Sequence, residues 1–517
     1  MAMIDFDALP LYGVGERRPR VASLVEMFAE AAGSVPEAVA YVEGEARLSF
    51  GTIAQRVERF AAWLAERFEE GTVIGILIPN GAAFAVAYFA ALRARLVPAL
   101  LNPLHPPRRL AALLGEAEGR ALIAAPPTRA LGEAVRAEME TLALLEETED
   151  TAARKALAAR GEPGPDDPAV ILFTGGTTGL PKAVAQTHRR LLIALRIVEY
   201  NWPTRRSGEV WLPIAPFTHV FGFLQGFLAP ISARAMSVIP PRFQPELIVD
   251  LLDRYRVSVF GGGPAPVYAG VLAATNFSRA DLSRLRVCPS GGAPVPVEIH
   301  RRWRECTGAE IHEGYGMTEM APISGTTSLS GVRPGSVGPA LPGIDIEIVD
   351  VETGTRLLPP GEKGEIRVRG PHMMEGYRNR PEETALVLRE GYLYTGDIGF
   401  LDAEGFLHIT DRKKDMILVK GFNVYPREVE EVLHAHPDVA QAGVIGLADA
   451  RSGERVVAFV VPRSGATLDP ATLARHCADH LAPYQCPAAI HVIEALPMTG
   501  AHKLDRLALR RLAEGAA

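Results

Sequence analysis

The sequence predicts an α/β protein: a large N-terminal domain of α/β subdomains plus a β-rich subdomain, followed by a small mobile α+β C-terminal domain. Three observations carry this. Short apolar runs fit for buried strands alternate with helix-length stretches through the first 313 residues. From Gly343 to Thr410 the texture changes to short strands and frequent turns. Five consecutive charges, Asp411-Arg412-Lys413-Lys414-Asp415, then separate that region from about 100 residues of mixed strands and helices, enough for a small core of their own.

The elements follow in order. Val73–Pro79 is a buried-strand run, Asn80-Gly81 a turn, Ala82–Leu96 a helix and Val97–Leu101 a second strand, which together make a βαβ unit. The pattern is expected to recur as Ala169–Phe173, a helix over 188–200 and Glu209–Leu212. Next come a helix near 245–254, the strand Val257–Phe260, and strands 286–288 and 309–313 around a helix at 296–306. The β-rich part supplies Ile344–Val349, Glu365–Arg369 and Phe406–Thr410. Beyond the charge run lie Met416–Val419, the helix Pro426–His434, Val439–Ile445, Arg455–Val461, a helix over 471–481 and Ala489–Glu494. The expected domains are therefore 1–411 and 412–517.

Composition narrows the function. The chain of 517 residues is 48% hydrophobic and 22% charged, with a net charge of −7, so nothing favours a nucleic-acid partner. Four cysteines with no C-x-x-C pair exclude a disulfide framework and argue against a structural zinc. Uncharged stretches at 71–92, 210–233 and 257–278 are broken by Pro79-Asn80-Gly81, by Pro213 and Pro216, and by Gly261–Pro264. None is a continuous apolar span. Met1–Pro10 lacks a basic n-region. The expectation is a cytoplasmic protein with no transmembrane segment, monomeric or homodimeric.

Three loops carry chemistry. Thr174-Gly175-Gly176-Thr177-Thr178-Gly179-Leu180-Pro181-Lys182 follows an apolar strand. Its glycines let backbone N–H groups approach a polyanion, its threonines add hydroxyls, and Lys182 adds a point charge. It is not a Walker A loop, because proline precedes the lysine and Ala183–Thr187 reads as a returning strand. In Gly314-Tyr315-Gly316-Met317-Thr318-Glu319 an aromatic between glycines suits a nucleobase, and a hydroxyl beside a carboxylate suits a Mg²⁺–phosphate group. In Tyr394-Thr395-Gly396-Asp397 a loop carboxylate suits vicinal sugar hydroxyls, although a Gly-Asp turn between strands is common on its own.

These motifs, in this order and with the 411–431 block and Lys503 behind them, resemble the acyl-adenylate-forming superfamily. That group holds acyl-CoA synthetases, firefly luciferase and peptide-synthetase adenylation domains, and the likeness covers about residues 40 to 510. It implies that 174–182 clasps the β- and γ-phosphates of ATP, that Gly292-Ala293-Pro294 runs beside adenine, and that Tyr315 stacks on it. Thr318 would contact the α-phosphate, Glu319 would hold Mg²⁺, and Asp397 and Arg412 would bind the ribose. Lys503 would bridge the carboxylate and the α-phosphate. Lys414 would be the hinge that exchanges Lys503 for Gly421-Phe422-Asn423 beside the pantetheine of CoA.

Three positions depart from the superfamily's usual residues: Gly175 for Ser, Ala183 for Gly, and His502 for Gly before the catalytic lysine. At a backbone position needing positive φ, a histidine costs about 1 kcal/mol or more.

Pro216-Phe217-Thr218-His219-Val220-Phe221-Gly222 resembles one wall of the acyl pocket, where His219 would orient the carboxylate or gate the pocket, although a lone histidine is as often structural. Gly262, Gly263, Gly291 and Gly316 line other sides. No acidic residue stands in that wall, so an α-ammonium group would have no counter-charge. The resemblance therefore implies a ligase that joins a fatty or aromatic acid without an α-amino group to CoA. An acyl-AMP ligase loading an acyl carrier protein, and a catalytically weak binding protein retaining the fold, are the alternatives.

Overall fold

A computed structural model describes Phe6 and residues 20–139, 141–147, 157–174, 181–292, 295–327, 329–419, 422–449, 453–498 and 504–515. The chain divides into two compact units, one of residues 1–345 with 369–393, the other of 346–368 with 394–517.

Among its described residues the first unit holds three complete sheets. A six-stranded sheet runs in the order β6 (Ala143–Leu145), β5 (Ala121–Ala124), β3 (Val73–Leu77), β4 (Val97–Leu100), β7 (Pro168–Phe173) and β8 (Ala183–Thr187). β3 and β4 pair in parallel, as expected for strands joined through the helix Ala82–Arg93. That helix is apolar on nearly every side and buried accordingly. Its first N–H groups gain a counter-charge from Glu43, whose Oε1 accepts from Ala82 N at 2.6 Å. The helix Phe50–Arg67 instead buries one stripe, Phe50, Ile53, Val57, Phe60 and Leu64. It starts at Ser49, whose hydroxyl accepts from Thr52 N.

A five-stranded sheet has the order β11 (Val259–Gly261), β9 (Val210–Pro213), β10 (Met236–Ile239), β1 (Val39–Glu43) and β2 (Ala46–Ser49). The expected second βαβ unit is corrected here. β7 and β9 lie in different sheets, because β8 returns antiparallel along β7 before the helix His188–Asn201 carries the chain away. Between the two sheets' helices an aromatic cluster of Phe84, Tyr88, Phe89, Phe217, Phe223 and Phe227 fills the core, with ring centroids 5.0 to 5.8 Å apart in pairs such as Phe84–Phe227 and Phe223–Phe227.

The third sheet orders β12 (Cys288–Gly291), β13 (Ile311–Met317) and β14 (Met320–Gly325), the first pair parallel and the second antiparallel. The hairpin of β17 (Leu388–Arg389) with the start of β18 (Tyr392–Leu401) turns at Glu390-Gly391, both at positive φ.

The second unit begins with β15 (Asp345–Val349), β16 (Gly364–Arg369) and the rest of β18, which pairs antiparallel with β19 (Leu407–Arg412). A second sheet orders β21 (Phe422–Val424), β20 (Ile417–Val419), β23 (Gly453–Pro462) and β22 (Val439–Asp449), with β24 (Ala489–Val492) parallel to β23. The helices Pro426–Ala435 and Pro470–His480 bury Val429, Leu433, Leu473 and Cys477 against it. Among the described residues no helix is long and apolar enough to cross a membrane, and all four cysteines are free.

Candidate active site

The phosphate-loop hairpin is closed at its base. Phe173 pairs with Ala183 across β7 and β8, Thr174 N–H donates to the Lys182 carbonyl at 3.0 Å, and Lys182 N–H donates back to Thr174 Oγ1 at 3.1 Å. The positions between, including Gly175, Gly176, Thr177, Thr178 and Gly179, lie outside the described residues, as do Ala293, Pro294, Gly421, His502 and Lys503. Lys182 is followed by a strand and not a helix, which separates this loop from the Walker geometry.

Thr318 and Glu319 form the turn between β13 and β14, and both are buried. A strap of residues 372–377 fixes that turn. His372 Nε2 donates to the Pro322 carbonyl at 2.7 Å, Met374 N–H donates to the Glu319 carbonyl at 2.8 Å, and the Tyr377 hydroxyl donates to Glu319 Oε1 at 2.7 Å. The Lys182 ammonium stands 4.4 Å from the centre of the same Tyr377 ring and 2.8 Å from Glu383 Oε2. One tyrosine therefore joins the loop lysine to the carboxylate nominated for Mg²⁺. Burial, then the Glu319 charge, push the Tyr377 phenol well above its usual range, so it stays a donor. Its ion pair with Lys182, then that with Arg380, hold Glu383 below the usual carboxylate range.

Glu319 suits Mg²⁺: it is a buried carboxylate beside a hydroxyl, both hard oxygen donors. Among the described residues no cluster of three His, Cys, Asp or Glu is placed for a metal, so a cation here would take its remaining ligands from phosphate and water.

Gly292 has φ +81°, a conformation costly for residues with a Cβ, and it opens the nominated adenine segment. That segment's far end is tied down by Glu313, buried in β13. Glu313 Oε2 accepts from Val295 N at 2.9 Å, and its Oε1 lies 2.9 Å from His300 Nε2. Tyr315 is half-buried and paired with Ser324 across β13 and β14.

In the nominated acid wall, Asn80 clamps the chain by donating to the Ala215 carbonyl and accepting from Phe217 N. The Phe217 side chain is fully buried in the aromatic cluster, whereas His219 is exposed, with Nδ1 accepting from Phe221 N at 3.3 Å. Val220 is half-buried at the edge of the core. Gly262 packs beneath the Phe260 and Tyr268 rings, and Gly263, at φ +85°, accepts from Ser290 Oγ at 2.7 Å. Gly291 pairs with Gly314, and Gly316 backs onto Ala321 and Pro322.

In the second unit, Asp397 faces Arg412 across β18 and β19, with Oδ1 3.3 Å from Arg412 Nε. Thr395 Oγ1 accepts from Asp397 N, and the Lys413 N–H donates to the Gly396 carbonyl at 2.8 Å. Lys414 is exposed in the turn after β19. Phe422 is 54% exposed and stacks on Tyr484 at 4.6 Å.

Sequence reasoning missed Tyr377, Glu383, His372 and Glu313. Only Glu313 gave a signal, as a carboxylate within a run expected to be a strand.

The family model for the AMP-binding enzyme matches residues 28–378, and that for the AMP-binding enzyme C-terminal domain matches 428–503. A long-chain-fatty-acid–CoA ligase of Bacillus subtilis is 40% identical over 350 residues, 67% of this chain and 62% of that protein. A feruloyl-CoA synthase of an Amycolatopsis species is 33% identical over 92% of this chain and 96% of its own length. The crystal structure of ATP-bound MatB from Rhodopseudomonas palustris superposes with a TM-score of 0.86 at 30% identity, covering 95% of this chain and 99% of that one. The chain belongs to the AMP-binding enzyme family, as its motifs implied.

Proposed function

We propose that the protein is an ATP-dependent acid:CoA ligase that forms AMP and acts in the cytoplasm. A carboxylate attacks the α-phosphorus of ATP, pyrophosphate leaves, and the thiol of CoA then attacks the acyl carbon of the acyl-AMP and releases AMP. The observation that carries this reading is Tyr377, whose ring supports Lys182 and whose hydroxyl orients Glu319. A cation for the departing phosphates and a carboxylate for their Mg²⁺ are thereby held on one side chain, preorganised for charge that grows at the leaving group.

Thr174, Gly175, Gly176, Thr177, Thr178, Gly179 and Lys182 take the β- and γ-phosphates in this reading. Gly292–Pro294 and Tyr315 take adenine, Thr318 the α-phosphate, and Asp397 with Arg412 the ribose. Lys503 stabilises the approach of the two anions. Lys414 is the hinge between the adenylating and thioester-forming arrangements, and Phe422 borders the pantetheine. The acid lacks an α-amino group, because Pro216–Gly222 offers no counter-charge; the fatty-acid and feruloyl relatives act on acids of that class.

Pyrophosphate release with a panel of fatty and hydroxycinnamic acids tests adenylation, and thiol loss with CoA or a holo-carrier protein identifies the acceptor. Acid-dependent pyrophosphate followed by CoA consumption is expected; no acid-dependent release from the whole panel refutes the ligase reading. Lys503→Ala should suppress adenylation far more than the reaction of preformed acyl-AMP with CoA.

A further inference from the structure

The parallel strands β12 and β13 place Gly291 and Gly314 side by side, and paired residues share one face of the sheet. Large rings occupy the space their missing side chains leave. A Cβ on Gly291 would stand 3.2 Å from the Phe221 ring, and one on Gly314 would stand 3.2 Å from the Trp202 indole. Trp202 ends the helix His188–Asn201 and is pinned there, its own N–H donating to Val198 O and its indole N–H donating to the Thr326 carbonyl at 3.1 Å.

Trp202 also lines a small, partly open cavity with Glu199, Trp211, Gln225, Ala229 and Val287. It has room for on the order of one water molecule. Glu199 and Gln225 are buried, and Trp211, 1% exposed, has an indole N–H with no partner among the described residues. A buried donor without an acceptor marks a place for a small polar guest. Gly314 lies in β13 four residues before Thr318 in the following turn, so the two stand at most about 14 Å apart.

From this geometry we propose that Trp202 is the floor of the acyl pocket and the residue that limits acid length, with the small polar cavity beside it as an extension. The proposal rests on the ligase reading above. Acids that end before the indole, of medium chain or a single ring, fit; longer chains meet a fixed aromatic wall. Shortening Trp202 joins the cavity to the pocket, and the joined space favours a chain ending in a hydroxyl, because Trp211, Glu199 and Gln225 offer it polar partners.

The test compares wild type with Trp202→Ala and the milder Trp202→Leu on octanoate, laurate, palmitate and 16-hydroxypalmitate, read as acid-dependent pyrophosphate release. The wild type should fall steeply between octanoate and palmitate. The variants should raise the palmitate-to-octanoate ratio of kcat/KM at least tenfold, with 16-hydroxypalmitate gaining more than palmitate. Calorimetric titration with octanoyl and palmitoyl sulfamoyl-adenosine, stable mimics of acyl-AMP, gives the same comparison where a variant is too unstable to turn over. A ratio unchanged in both variants, or a wild type that already prefers palmitate, overturns the proposal. A wild type silent with every acid in the wider panel refutes the ligase reading itself, and is seen before any variant is made.

Discussion

Acidification should unfold the first unit well before its carboxylates are protonated. His188, His312 and His372 are all buried there, and burial lowers each pKa to about 4, against the ordinary 6.5. His188 Nδ1 accepts from Leu24 N at 3.1 Å, a contact that protonation abolishes. An unfolded chain takes up these protons near pH 6.5, the folded chain only near pH 4. Between those values the unfolded state binds more protons, so stability rises with pH and is lost as pH falls through the window. Each histidine contributes about 1.4 kcal/mol per pH unit. Together they contribute about 4 kcal/mol per unit, or about 10 kcal/mol across the window, which matches a typical net stability.

All four tryptophans (Trp63, Trp202, Trp211 and Trp303) lie in this unit, so urea unfolding followed by indole fluorescence reads it directly. Stability should fall steeply between pH 6.5 and 5. His372→Gln keeps an N–H for the Pro322 carbonyl and removes the titration. Its slope should be shallower by about 1.4 kcal/mol per pH unit. A wild-type slope below that of one proton, or an unchanged slope in the variant, would refute the reasoning from burial.

Tyr377→Phe removes the hydroxyl from Glu319, a hydrogen bond to a charged group worth about 1.5–3 kcal/mol. Pyrophosphate release should fall about 10- to 100-fold in kcat/KM for MgATP, most at limiting Mg²⁺, while the acid's KM moves little. Glu383→Gln frees Lys182 from a half-exposed ion pair, so the KM for ATP should drop by up to about fivefold; a rise would show that Glu383 positions the lysine. Asp397→Asn should erase most of the preference for ATP over 2′-deoxy-ATP, measured as the ratio of their kcat/KM values, and an unchanged ratio would remove Asp397 from the ribose site.

The parts of this architecture that sequence made legible are those set by local periodicity and turn chemistry. The helix Pro245–Arg254 falls on its expected residues, and β8 follows Lys182 because Pro181 and a small-residue run favour extended backbone over a helix start. Strand partnership was not legible in the same way. Nothing local in Ala169–Phe173 says that its free edge is taken by β8, so that the next strand must join another sheet. The strap was hidden for a related reason. Tyr377 lies 58 residues from Glu319, and an isolated tyrosine in a loop has no spacing that announces a partner. Glu313 was findable in principle, since a carboxylate inside a buried strand must have donors waiting for it.

The cations assigned to the nucleotide are neutralised within their own units by carboxylates: Lys182 by Glu383, and Arg412 by Asp397. A lysine or arginine held bare for an anion repels its cationic neighbours, and each pair removes that cost within its own unit. They are also weak enough to yield. Lys182 and Glu383 are each about 30% exposed, and a pair of that kind is worth about 0–1 kcal/mol. Displacing Glu383 with phosphate therefore costs little of a nucleotide's binding energy. The Tyr377 ring holds Lys182 in place while its counter-ion changes. On the proposed assignment of Lys182 and Glu319, specificity for a triphosphate over a single surface anion would rest on simultaneous exchange: one phosphate would replace Glu383, but only a Mg²⁺-bearing polyphosphate would also engage Glu319. Inorganic phosphate should accordingly compete poorly with MgATP even at millimolar concentration, and pyrophosphate with Mg²⁺ should compete well. Equal competition by both would mean that Lys182 and Glu319 act separately.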